Sequence, residues 1–470
     1  MSGKKEQDGE DMRLELEDID MDDLEDTAFL NGNASQGRQQ NKSLSCTRFV
    51  FRKIGLLIEV AGIFKVVIIL GSIFLVALAM LAFVNREDNT LPESLPRKSI
   101  EKARKVVEQL KNTAIPSYVL TYAPIVILDR KETFFPSDLS IHLANTQPTY
   151  NFTPISNPPS PLNLSNLNEL NTFQDGDVYL SSREPIVHLP KWLRGQKPSK
   201  KTLQTKKSIN CVVVVVEKDP VKDKAGNEQQ SVVDAFYLYF YSFNDGPRGL
   251  GHQVGNHVGD WEHNMIRFTN GTPTAIWYSQ HGFGAAYTFD VVQKIGNRPA
   301  VFSARGSHSN WPEAKAHDFH VIREIFISTS SAILLIAQLD NRIPRHIAYD
   351  YTSLGHLWDP TLSALFYSYN STNTTSSRSI PREETQSLSN RTYIPAVSSM
   401  PTGFLYFNGK WGDQQLKPGD EGQEEIRGFF KWTSGPQGIG WGDKDVIRDT
   451  VCPKVYETNG IPSAEKSGEN

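Results

Sequence analysis

Apolar residues recur along this chain in three rhythms, and each predicts a different element. The first is an unbroken run, since Val66 to Val84 holds nineteen residues without a charge. Roughly twenty are needed to cross a ~30 Å hydrocarbon core, so the run predicts a transmembrane helix over 65–85. The long polar stretch in front of it predicts an uncleaved signal anchor, not a cleaved signal peptide. The second rhythm is helical: Ile100, Ala103, Val107 and Leu110 share one face, and 86–115 reads as an amphipathic stalk helix. The third is a succession of short aromatic and β-branched runs, at Tyr118–Leu128, Gly176–Leu180, Cys211–Val216, Asp234–Phe243, Met265–Phe268, Ala275–Ser279, Arg298–Ala304 and Ala332–Ala337. With few helical patterns between them, the expected fold is mainly β, a β-sandwich-like domain over 116–455 behind a single N-terminal membrane helix.

Polar interruptions set the remaining boundaries. Asn, Pro and Ser crowd 148–172, and Ser, Thr and Asn crowd 369–392, so both are expected as surface insertions. The lysine-rich linker from Lys197 to Lys207 reads as a solvated loop, and 456–470 as a C-terminal tail.

Charge changes the picture at one end only. The net charge is -4, but residues 1–30 alone carry -9, leaving +5 for everything after them. A stretch this acidic and this poor in aromatics buries too little apolar surface to offset its conformational entropy, and 1–47 is expected to be a disordered tail. Basic residues flank the apolar run evenly, with Arg52, Lys53 and Lys65 before it and Arg86, Arg97 and Lys98 after it. They do not orient it. Glycosylation sequons do: Asn151, Asn163, Asn370, Asn373 and Asn390 each head an Asn-x-Ser/Thr triplet beyond the run, with a weaker one at Asn270. The tail is therefore expected in the cytosol and the large domain in the lumen of the secretory and vacuolar system. Asn33 and Asn41 head sequons on the other side of the run. In an oxidising lumen Cys211 and Cys452 could pair as a disulfide, or remain buried thiols.

Candidate chemistry gathers in Asn256-His-Val-Gly-Asp-Trp-Glu-His263, and seven of the eleven histidines lie between His252 and His320. If Asp260 begins a strand, a period of two puts Asp260 and Glu262 on one face and Trp261 on the other. His257, in a Gly-bounded turn, can then fold over the carboxylates. His252 and His263 are alternates for the site, although His263, next to Glu262, should point away from the carboxylate face. Three readings stay open: a metal site, a metal-free acid/base site, and a buried hydrogen-bond network that fixes the turn. His281, next to Gly282, and His308, two residues past Gly306, read as contacts in a second layer around the site. His317 and His320 form an isolated His-x-x-His. No phosphate loop, Gly-x-Ser-x-Gly elbow or Cys-x-x-Cys pair occurs, so nucleotide hydrolysis, serine-esterase chemistry and structural zinc have no support. No basic patch interleaved with aromatics reads as a nucleic-acid surface.

Tyr122-Ala-Pro-Ile-Val, Phe135-Pro-Ser-Asp, Phe243-Asn-Asp-Gly, the central motif, Ala304-Arg-Gly-Ser-His, Leu357-Trp-Asp-Pro and Gly409-Lys-Trp-Gly-Asp together resemble the fungal vacuolar protein sorting-associated family numbered sixty-two. The resemblance spans roughly Tyr118 to Cys452 and implies a part in delivering proteins to the vacuole, with no defined reaction. Tyr241-Ser-Phe-Asn-Asp245, Gly249-Leu-Gly-His and His-x-x-Asp-Trp-Glu at 257–262 are more distantly similar to the necrosis-inducing cytolysins of plant pathogens. Those are β-sandwiches with a divalent cation. Their pattern carries onto Asp245, His257, Asp260 and Glu262, an oxygen-rich set that suits Mg²⁺ or Ca²⁺ better than Zn²⁺. The expectation is a single-pass membrane glycoprotein of vacuolar sorting whose ectodomain binds cargo or a glycan and is more naturally a binding module than an enzyme. A divalent-metal hydrolase of sugar or phosphate esters is the alternative.

Overall fold

In a computed structural model, residues 65, 70–75, 90–222, 229–249, 252–318, 349–371, 391–426 and 428–453 are described. The chain divides into two compact units, Met1–Arg86 and Glu87–Asn470. Of the first, Lys65 and Leu70–Leu75 are helical, and the rest of the expected membrane helix lies outside the described residues. Leu70, Ile73, Phe74 and Leu75 are each 60% exposed or more. Among the described residues no helix is long and apolar enough to cross a membrane. The expected acidic tail, the C-terminal tail and the run Ala332–Ala337 also fall outside the described residues.

The second unit is built on one large sheet. Its strands are β2 (Cys211–Lys222), β3 (Gln229–Asn244), β4 (His257–Thr269), β5 (Thr272–Gln280), β6 (Phe283–Thr288), β11 (Ala364–Ser371) and β12 (Arg391–Pro395), in the order β6-β5-β4-β3-β2-β11-β12. Neighbours from β6 to β2 run antiparallel, as local hairpins must. β2 and β11 are parallel, with Cys211 opposite Ala364. A smaller sheet covers one face. It contains β1 (Ile125–Leu128), β7 (Lys294–Ile295), β8 (Arg298–Ser303), β9 (Asn310–Trp311) and β10 (His356–Trp358), with β1 central between β8 and β10. The core between the sheets includes Val126, Leu128, Val301 and Trp358 from the small one and Val213, Tyr237, Ile266 and Tyr278 from the large one. This is the expected sandwich.

The outer face of the large sheet is covered without a third sheet. Leu139 and Leu143 of a short helix (Leu139–Asn145), together with Leu164, Leu167, Leu170, Phe404 and Trp411 from irregular segments, pack on Phe236, Leu238, Phe240, Trp261 and Met265. The stretch 148–172 is thus no mere surface excursion, because its leucines close a core. Both faces of β2 to β4 are buried, which explains why Cys211–Val216 and Asp234–Phe243 read as nearly continuous apolar runs and not as alternating ones.

The expected stalk is shorter than read and is part of the folded unit. Helix α1 (Arg97–Leu110) buries Leu110 and packs Val106 and Val107 against the inter-sheet core. Of the second expected insertion, 372–390 lies outside the described residues, but its flanks pair as β11 and β12 at the sheet edge. Cys211 and Cys452 are not joined. Cys211 lies in the core between the sheets and Cys452 packs against the outer core, so the large sheet itself separates them.

Candidate functional site

β3 and β4 decide where the motif's side chains go. Their register sets Tyr241 opposite Asp260, Phe240 opposite Trp261, Tyr239 opposite Glu262 and Leu238 opposite His263. Since side chains alternate along a strand, Asp260 and Glu262 face the smaller sheet beside three tyrosines, and Trp261 and His263 enter the outer core. Trp261 there lies 4.8 Å from Phe240 and 5.3 Å from Trp411, ring centre to ring centre. The alternation read from sequence therefore holds, although β4 begins at His257, three residues before Asp260. Gly259 is required where it stands: its φ is +71° and a Cβ would lie 2.2 Å from the Trp411 carbonyl oxygen.

The partner of Asp260 comes from the loop after β8. His308 is completely buried, and its Nδ1 lies 2.8 Å from Asp260 Oδ2 while Nε2 lies 2.9 Å from the Phe134 carbonyl oxygen. Both neighbours are acceptors, so both ring nitrogens donate and the ring is an imidazolium. Burial alone would lower the His308 pKa, but the Asp260 hydrogen bond, the Glu132 and Asp260 charges and the Phe134 carbonyl together raise it. The Tyr241 ring stacks on it at 3.7 Å and 5°, a cation–π contact. Burial, with Glu132, Asp260 and Glu262 reinforcing and Ser303 only partly opposing, keeps the Tyr241 phenol neutral.

Glu132 completes the cluster, 3.9 Å from His308 Nε2. Its Oε1 accepts from the backbone N–H of Thr133 and Phe134, and its Oε2 from that of Gly306 at 2.8 Å. Gly306 also accepts from the Asp245 amide at 2.9 Å. Its φ is +78°, and a Cβ would sit 2.5 Å from the Asp245 carbonyl oxygen. His308 itself has φ +57°, a left-handed conformation that costs a β-carbon-bearing residue about 1–2 kcal/mol. The loop is bent to deliver that ring.

A second histidine pair adjoins the first. His281 Nε2 lies 2.9 Å from Asp350 Oδ2, and Asp350 also accepts from the Ser307 and Ser309 hydroxyls and the Trp311 indole. Burial opposes charge on His281, yet the Asp350 charge and hydrogen bond raise its pKa. Burial likewise opposes charge on Asp350, but His281 and the two serines hold it below the usual carboxylate range. Asp350 stands between His281 and these serines, whose hydroxyls donate to the carboxylate and not to the imidazole.

The expected cation ligands are engaged elsewhere. Asp260 holds His308, Asp245 Oδ1 accepts from Gln253 Nε2 at 2.5 Å, and His257 Nδ1 donates to the carbonyl of Gly259 at 2.7 Å. Burial keeps His257 below its usual pKa despite Asp260. Among the described residues no three His, Cys, Asp or Glu side chains gather as a metal shell. Where the cytolysin resemblance implied a cation, His308 supplies a positive charge between Asp260 and Glu132. Of His281 and His308, the structure makes His308 the direct partner of Asp260, while His281 bonds Asp350 and feels the Asp260 charge. Glu132, Tyr241 and Asp350 were not singled out in the sequence; only the Tyr-x-Tyr-x-Tyr spacing of β3 hinted that polar groups line that face. His263 points away as expected, 2.6 Å from Arg448 in the outer core. His252 lies at the surface, 3.4 Å from Glu424, and His317 stacks on Trp311 at 3.9 Å.

Comparison with known proteins bears on the same region. The family model of vacuolar protein sorting-associated protein 62 matches residues 249–317, from just before the motif to just past His308. A putative vacuolar protein sorting-associated protein of Saccharomyces cerevisiae, TDA6, is 34% identical over 376 residues, covering 73% of this chain and 70% of that one. The chain belongs to the vacuolar protein sorting-associated protein 62 family. Vacuolar protein sorting-associated protein 62 of the same yeast is 30% identical over 389 residues, 76% of this chain and 72% of that protein. No solved structure matches the chain. Membership in this sorting family gives the chain an association with vacuolar protein sorting.

Proposed function

We infer that this member of the sorting family is a single-pass membrane protein whose lumenal β domain binds cargo, through polypeptide or glycan, on the route to the vacuole, and that it is not an enzyme. The observation that carries the sorting role is the similarity to two yeast sorting-associated proteins across about three quarters of the chain. The non-catalytic reading rests on the site. Asp260, Glu262 and His308 are 5%, 6% and 0% exposed, and both His308 nitrogens are spent on protein acceptors, so these three offer a substrate no approach and His308 is no general base. Membrane insertion is supported by the charge-free run and by the exposed helical side chains Leu70, Ile73, Phe74 and Leu75. Lumenal placement is supported by Asn151, Asn163 and Asn370, all at the surface; Asn373 and Asn390 lie outside the described residues.

Removing the gene and following vacuolar hydrolases tests the sorting role, with secretion of at least one immature hydrolase expected. Normal maturation and location of all of them would overturn it. Topology is checked separately with endoglycosidase, which should increase gel mobility. Glycans mapped to Asn33 or Asn41 would reverse the orientation.

A further inference from the structure

The folded unit carries an uncompensated basic face assembled from two distant stretches. Residues 185–210 contain seven Lys and Arg and no Asp or Glu. α1 lies beside them, joined by a hydrogen bond from Lys102 to Gln204 at 2.5 Å, and adds Lys98, Arg104 and Lys105, all exposed. Its two glutamates are already taken, Glu101 by Arg97 and Glu108 by Lys111. Among the described residues no carboxylate lies within ion-pair distance of Lys98, Arg104, Lys105, Lys200, Lys201, Lys206 or Lys207. The field is felt nearby: burial first, then Lys197 and Lys200, hold His356 below its usual pKa.

The same face has an apolar component. An open cleft of about 660 Å³ runs between α1 and the β11 end of the large sheet, lined by Val106, Leu110, Ile209, Leu362, Phe366 and Met400, with Lys207 and Gln204 at its rim. A soluble acidic chain or nucleic acid answers only the charge. Lysines beside an apolar cleft match an amphiphile with an anionic head and a hydrocarbon tail. Only twelve residues separate α1 from the charge-free run ending at Val84.

We propose that the face formed by α1 and the Lys197–Lys207 segment docks on anionic bilayer lipid, with phosphate groups on the lysines and an acyl chain entering the Val106–Phe366 cleft. The proposal goes beyond the sorting role and holds or fails independently of it. Lys200, Lys201, Lys206 and Lys207 are themselves trypsin sites, so the lysines report on their own coverage.

The test reconstitutes the full chain in vesicles of phosphatidylcholine alone or with about one fifth phosphatidylserine, and follows trypsin cleavage at Arg194, Lys200, Lys201, Lys206 and Lys207. Cleavage is expected to slow about tenfold in the anionic vesicles and to recover in high salt. A Lys200→Glu, Lys201→Glu, Lys206→Glu, Lys207→Glu chain should lose the protection at its remaining site, Arg194, without a change in melting. A second chain with Lys98→Glu, Lys102→Glu and Lys105→Glu should lose it at all five sites. Equal cleavage in both vesicle types overturns the proposal. So does equal protection by soluble polyglutamate in neutral vesicles, which would make the partner an acidic polypeptide. Flotation after carbonate washing reads the membrane anchor by itself, so loss of anchoring is not confused with loss of docking.

Discussion

Two completely buried histidines sit on opposite faces of the same strand pair in opposite charge states. On the outer face His142 is ringed by Phe240, Trp192 and Trp411; its Nε2 donates to the Trp411 carbonyl at 2.8 Å and its Nδ1 accepts from Ser242 at 3.1 Å. Burial, only partly opposed by that carbonyl, lowers its pKa to about 4, and it is neutral. On the inner face His308 is equally buried but meets Asp260 and Glu132, and it is charged. Depth does not decide the protonation state of a histidine here; the neighbours do. The two faces are correspondingly different materials, hydrocarbon outside, and tyrosines with carboxylates inside.

The sharpest way to break this comparison is Asp260→Asn, which leaves the His308 imidazolium without its closest countercharge. Stranding a buried charge costs about 3–5 kcal/mol, to be read by denaturant unfolding of the folded unit. Adding His308→Gln should recover part of the loss, and a double-mutant cycle with no coupling would show that the pair is not an ion pair. Gly306→Ala comes next, at about 2–3 kcal/mol, because φ +78° and the Asp245 carbonyl leave no place for a Cβ.

His142→Leu should cost less, about 1–2 kcal/mol, through the stranded Ser242 hydroxyl and Trp411 carbonyl. Its value lies in the pH profile. A histidine with a depressed folded pKa contributes stability that is complete above about 6.5 and is lost as pH falls toward about 4. His142→Leu should therefore flatten the acid side of the profile. His308, with a raised folded pKa, contributes stability that is complete below about 6.5 and is lost as pH rises from there through its raised folded value. His308→Gln should flatten the alkaline side instead. Identical profiles for the two variants would erase the distinction between the faces. The smallest expected effect is none: chelator, Mg²⁺, Ca²⁺ and Mn²⁺ should each leave the melting temperature unchanged, and a shift that Asp260→Asn abolishes would restore the cation.

The sheet was legible because its strands are long, aromatic and β-branched, and the carboxylates' shared face followed from a period of two. The identity of their partner was not. Nothing local to Ala304-Arg-Gly-Ser-His308 says that a left-handed loop swings this ring under β4, and Glu132 lies in a turn with no pattern at all. Like-charged Asp260 and Glu262 called for a positive neighbour, and a sequence cannot say whether that neighbour is an ion or a side chain from forty-odd residues away. α1 misled for the opposite reason: its apolar stripe was visible, but a stripe does not say whether it meets solvent or a core.

The parallel pairing of β2 with β11 sets a timetable for synthesis. β3, β4, β5 and β6 follow one another as hairpins and can zip as they emerge. β2 finds β3 at once, but its other edge waits for a strand that starts at Ala364, some hundred and fifty residues later. Until then Val212–Val216 presents an open, flat, apolar strand edge, the kind that recruits other chains. The nascent domain is most prone to aggregate in that interval, and a truncation ending before β11 should be insoluble even with the whole histidine cluster's motif intact.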